Sequence, residues 1–134
     1  FMKNFLIAIM LLSGVAQAQD YYKSSEWSIY NYDRITNKFS KVGTKKSDTR
    51  VIISTDYFAL EQEDGKFILD FWDYVHTDTL GQWFVPRNQD GSICVGTQDS
   101  TIYVFSHYDE TIEKFTAVTA LRKIRIVEPF KAIP

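Results

Sequence analysis

Residues 57–74 read Tyr57-Phe58-Ala59-Leu60-Glu61-Gln62-Glu63-Asp64-Gly65-Lys66-Phe67-Ile68-Leu69-Asp70-Phe71-Trp72-Asp73-Tyr74. Two runs rich in aromatic and aliphatic residues flank Asp64-Gly65, a dipeptide that favours a two-residue type I′ turn between antiparallel strands. With the turn at that dipeptide, Glu63 opposes Lys66, Gln62 opposes Phe67, Leu60 opposes Leu69 and Phe58 opposes Phe71. Side chains alternate along a strand. One face of the hairpin then carries Phe58, Leu60, Phe67, Leu69 and Phe71 and is expected in the core. The other, mixed face carries Tyr57, Ala59, Glu61, Glu63, Lys66, Ile68, Asp70 and Trp72, with Tyr74 and Asp73 at its end. This aromatic and acidic mixture is more than folding requires, so Tyr57, Glu61, Asp70, Trp72 and Tyr74 form the candidate binding surface.

The same turn chemistry recurs along the chain. Residues 26–33 alternate Trp27, Ile29 and Asn31 with Ser28, Tyr30 and Tyr32 and read as a first strand. Residues 19–25 are polar and read as a flexible lead-in. A second strand is expected over residues 35–42 around Phe39, a loop over 43–48, and a short strand over 50–54. Further strands are expected over 82–87, 92–96 and 101–107, with Asp90-Gly91 as a second hairpin turn. Pro86 lacks an N–H and is expected at a sheet edge or a bulge. Residues 109–123 fit either a helix, with Ile112, Phe115, Val118 and Leu121 at every third position, or a strand. Glu110 and Glu113 favour a short helix at the start of that segment. Residues 124–127 form a last short strand. Short strands separated by turn residues predict a mainly β domain, a small antiparallel meander closed as a barrel or sandwich. No repeat relates the two Asp-Gly hairpins.

Residues 2–18 have the form of a secretory signal peptide: Lys3 near the start, an apolar run from Phe5 to Val15, then Ala16-Gln17-Ala18 as a cleavage site. The expectation is a single domain over residues 19–134, secreted or periplasmic and bacterial, with no stable membrane anchor after cleavage. Removal of eighteen residues from 134 leaves 116, enough for one hydrophobic core. The full chain has 15 basic and 17 acidic residues; loss of Lys3 leaves 14 against 17, a net charge of −3. A mildly acidic domain has no electrostatic basis for nucleic-acid binding. Cys94 is the only cysteine, so the domain rests on its core rather than on an internal disulfide.

Catalytic and metal signatures are missing from the sequence. His76 and His107 stand near carboxylates but fall short of three converging metal ligands. Residues 88–91 lack the spacing of a calcium loop. There is no Gly-x-Ser-x-Gly elbow and no phosphate-binding glycine loop. The expected function is therefore a non-enzymatic domain without cofactor that binds a protein, a glycan or a small apolar ligand. The alternatives are a small secreted hydrolase or hydrolase inhibitor, which would use His76 or His107, and a structural protein assembling through a sheet edge. Thr55-Asp56-Tyr57 resembles the Thr-Asp-Tyr motif of lipocalins, with Trp27 in the place of their early tryptophan. Ser25 stands where those proteins have glycine, and too few strands fit between Trp27 and Thr55, so no family is assigned from these residues.

Overall fold

The computed structural model describes residues 19–96 and 99–131. The export signal expected over residues 2–18 lies outside the described residues. Nine antiparallel strands follow one another: β1 Gln19–Asp33, β2 Lys38–Ser54, β3 Tyr57–Glu61, β4 Phe67–Thr77, β5 Gly81–Pro86, β6 Ser92–Gly96, β7 Ile102–Asp109, β8 Lys114–Arg122 and β9 Arg125–Ile126. Each of β2 to β8 pairs with its sequence neighbour, and β8 returns to pair with β1, which also pairs with β2. The sheet is a ring of eight strands, an up-and-down meander barrel. The two-residue β9 pairs with β1 at Tyr22 and Lys23, in line with β8.

The interior holds Tyr22, Val51, Ile53, Phe58, Trp72, Phe84, Ile93, Val95, Ile102 and Leu121. Trp72 stacks on Phe84 at 4.0 Å between ring centroids and packs against Phe58 at 5.1 Å. Its indole N–H donates to the Ser54 carbonyl at 3.0 Å, so its polar atom is satisfied where water cannot reach. Cys94 is fully buried between Ile93 and Val95, and burial pushes its thiol up to about 12. It is registered against Trp83 and Tyr103, aromatic residues that cover a small side chain.

The central hairpin forms with a different turn and register. Tyr57 opposes Phe71, Phe58 opposes Asp70, Ala59 opposes Leu69, Leu60 opposes Ile68 and Glu61 opposes Phe67. The loop has three residues between Gln62 and Lys66. Gln62 N–H donates to the Lys66 carbonyl at 2.7 Å and Gly65 N–H to the Gln62 carbonyl at 2.9 Å. Gly65 has φ +85°, whereas Asp64 keeps a negative φ. This is a type I turn closed by a left-handed glycine; it needs positive φ at one residue rather than two. The one-residue slip relative to the predicted register reverses the faces of the second strand. Phe58 and Leu60 point inward as expected, but their partners are Ile68, Asp70 and Trp72. Phe67, Leu69 and Phe71 face outward, and Phe71 is 49% exposed.

Three further expectations are corrected. Residues 19–25 are not a loose lead-in: they belong to β1, paired with residues 49–54 of β2. Residues 43–48 are not a loop; β2 runs through them, paired with β1. Residues 109–123 contain no helix. Asp109 accepts the Thr111 N–H at 2.8 Å as a helix cap would, but Glu113 takes φ +55° and reverses the chain. The β-branched Thr116, Val118 and Thr119 then extend as β8. Pro86 ends β5, registered against Trp72 of β4 and without a partner on β6, whose pairing with β5 stops at Phe84; it therefore sits at a local edge, as its missing N–H requires. A longer free edge lies on β2, where residues 38–49 pair with β1 on one side alone.

Candidate functional site

The barrel encloses a cavity of about 190 Å³. Seven strands line it: Val51 and Ile53, Phe58 and Leu60, Ile68 and Trp72, Pro86, Ile93 and Val95, Ile102 and Val104, and Leu121. Period-two alternation places each of these on the inner face of its strand, and closure of the ring brings them together. Trp72 borders the cavity and stacks on Phe84 behind it, so the pair closes that side. Gln62, Gln89, Gly91 and Ser92 line the other end, at the β3–β4 and β5–β6 loops. No charged side chain lines the cavity.

The five residues of the expected surface are divided between the two faces of the sheet. Trp72 and Asp70 are inside, each 2% exposed. Asp70 accepts the Asn88 backbone N–H at 3.0 Å and the Asn88 side-chain amide at 2.8 Å. It thereby anchors the loop of residues 87–91 over the mouth of the barrel. Glu61 and Tyr57 are outside. Glu61 accepts from Arg50 through the guanidinium at 3.2 and 2.9 Å and through the backbone N–H at 3.0 Å. These hydrogen bonds hold its carboxyl below the usual range. Phe130 of the C-terminal tail packs on Tyr21 and Phe67, with the Arg50 guanidinium 5.1 Å from both the Phe67 and Phe130 rings. Tyr57 meets Phe71 edge to face, and burial raises its phenol. Tyr74, 51% exposed, sets its ring edge against Phe84, and its hydroxyl lies 2.6 Å from that of Thr77. Of the five, Trp72 lines the cavity and Asp70 positions its rim.

A second concavity of about 690 Å³ opens on the outside of the rim. Its walls are the loop of residues 87–91 and the end of the β7–β8 hairpin, with Tyr108, Glu110 and Phe115. Pro86, Gln89 and Gly91 line both spaces.

The two histidines are apart from both concavities. His76 Nε2 is 3.6 Å from Asp78, and its ring stacks on Trp83. Asp78 also accepts the Trp83 indole N–H at 2.9 Å, the main cause of its lowered pKa. His107 adopts φ +58°, and its carbonyl accepts from Thr116. Among the described residues no group of three or more His, Cys, Asp or Glu side chains is arranged to hold a metal. No helix of the described residues is long and apolar enough to cross a membrane.

The cavity-lining residues on β6 and β7 were not singled out by sequence reasoning. Their signal was present as alternation in 92–96 and 101–107, but alternation identifies a buried face without saying that the face borders a space. No known protein family matches the chain, and neither a curated protein nor a solved structure does.

Proposed function

We propose that this protein is an exported, non-enzymatic barrel that binds a small apolar ligand in its interior. The observation that carries the reading is the 190 Å³ cavity, lined by uncharged and mostly aliphatic side chains from seven strands. A charge moved into such a lining would lose its hydration without a partner, so the bound part of the ligand is neutral. Apolar cavities near 150 Å³ accept a benzene-sized molecule, which sets the scale at about six to eight heavy atoms. The polar residues at the rim, Gln62, Gln89 and Ser92, would orient the ligand's exposed end.

The test is a methyl NMR titration of the purified protein with 1-hexanol. Saturable shifts confined to the methyl groups of the lining valine, isoleucine and leucine residues, Ile102 and Leu121 included, are expected. A cavity-filling Val104→Phe variant that keeps the strand spectrum should lose them. Absence of saturable shifts, or equal binding by the folded V104F protein, overturns the reading.

A second reading, assembly through a sheet edge, has its own observation: residues 38–49 of β2 pair with β1 alone. That edge carries Lys38, Lys41, Lys45 and Lys46, the residue type that blunts edge pairing. A molar mass in light scattering that grows with concentration at high salt would favour assembly. A constant monomer mass would remove it.

A further inference from the structure

The interior cavity and the outer cleft share one wall, the segment from Pro86 to Gly91. Pro86, Gln89 and Gly91 line both. The two spaces differ in chemistry. The cavity is uncharged, whereas the cleft is lined by two carboxylates, Asp90 and Glu110, and one guanidinium, Arg87, beside the rings of Tyr108 and Phe115. Tyr108 and Phe115 meet edge to face at 5.1 Å, and Tyr108 is 50% exposed.

The cations in and around the cleft are already engaged, Arg87 of its lining included. Arg87 donates to both oxygens of Asp73, at 3.1 and 2.8 Å, and this pairing holds the Asp73 carboxyl low. Arg34 pairs with Asp109. The Lys114 ammonium lies 5.4 Å from the centroid of the Tyr32 ring. Asp90 and Glu110 have no ion-pair partner among the described residues. Aromatic faces and uncompensated carboxylates both attract a cation, and together they suit an amine or quaternary ammonium.

We infer that the ligand is a cationic amphiphile: a short apolar tail in the barrel and an amine or quaternary ammonium head in the outer cleft, lying across the loop of residues 87–91. The inference rests on the cavity reading above, because the tail needs the interior. It adds a second site and a charge. Asp70 is a positioning residue in this arrangement: by holding Asn88 it fixes the wall that both parts of the ligand touch.

The test compares three ligands with one tail by calorimetry at low salt: hexyltrimethylammonium, 1-hexanol and hexanoate. Hexyltrimethylammonium is expected to bind on the order of tenfold more tightly than 1-hexanol, and hexanoate most weakly. In Asp90→Asn/Glu110→Gln protein, both positions being exposed, the advantage should fall to about twofold or less while 1-hexanol binds unchanged. Tyr108→Ala should also reduce the advantage. If 1-hexanol binds and hexyltrimethylammonium binds no better, the head site is refuted and the cavity reading stands. An ammonium advantage that survives both variants also refutes this head site. If no ligand binds, both inferences fail together.

Discussion

Strand β2 exists in two environments. Residues 51–54 pair with β1 on one side, and Val51, Ile52 and Ile53 also pair with β3 on the other; all four residues are buried. Residues 38–48 pair with β1 alone and are exposed except for Gly43 and Ser47, which are half-buried. The first segment is part of the barrel wall; the second is half of an arm that projects beyond it. β1 makes both possible. Its residues 26–31 close the ring against β8 while its other edge carries the arm.

The difference shows that strand formation and burial are separable. Residues 43–48, Gly-Thr-Lys-Lys-Ser-Asp, have loop composition, and no apolar face holds them down. They are extended because β1 is long enough to supply ladder partners for residues 43–46, with Ser47 and Asp48 carried through the bulge to Thr49. The arm stays compatible with solution through its lysines and its two register shifts, each with an extra residue on β2. Bulges and edge lysines both discourage a further strand from pairing. In the wall, by contrast, sequence and burial agree at every residue of Val51-Ile52-Ile53.

The largest test of this contrast is Trp72→Ala. It removes the ring that packs between Phe58 and Phe84 and the indole donor to the Ser54 carbonyl. A loss of about 3–5 kcal/mol in denaturant unfolding is expected. Gly81→Ala should come next, at about 1–3 kcal/mol by overpacking. A Cβ at Gly81 would stand 2.1 Å from the Val95 carbonyl oxygen across the β5–β6 ladder, backbone that cannot move without opening the wall. A thermal midpoint unchanged by G81A would show that β5–β6 pairing is looser than the barrel requires.

Arg50 and Glu61 join β2 to β3 where the arm leaves the wall, and their effect is read by pH. The folded Glu61 carboxyl has a lowered pKa, chiefly through the Arg50 hydrogen bonds. Its contribution is therefore complete above the ordinary carboxylate value of 4.5 and is lost as pH falls through the folded value. Glu61→Gln should make the urea midpoint fall less steeply below about pH 4.5 than it does in the parent. Asp73, Asp78 and Asp109 are also lowered, so a residual slope remains. An identical slope in E61Q would place the acid sensitivity elsewhere. The smallest effect belongs to the arm: Phe39→Ala, although it removes the edge-to-face contact with Tyr32, should change stability by about 0.5 kcal/mol or less. A loss as large as that of W72A would mean that the arm is part of the cooperative unit.

The candidate site was legible in part. Trp72 and Asp70 were picked out from the central hairpin, but as members of an exposed face shared with Glu61 and Tyr57. That grouping depended on register. Asp64-Gly65 marks a turn without fixing whether two or three residues form it, and a slip of one exchanges inside for outside along the second strand. The helix expected near residue 110 had a similar origin. Asp109 caps a turn as it would cap a helix, and the left-handed Glu113 that ends the turn leaves no mark in composition.

By itself the sequence determined the class of fold. Alternating aromatic and β-branched residues, Asp-Gly turns and strands at short spacing specify an antiparallel meander, since these are local preferences that neighbouring residues express without help. The closure of β8 onto β1, the register of β3 with β4, the length of the β1–β2 arm and the uncharged cavity behind Trp72 were decided in the tertiary structure. Each depends on which distant strand supplies hydrogen-bond partners and how inner side chains share a fixed volume, and neither quantity is carried by a residue or its neighbours.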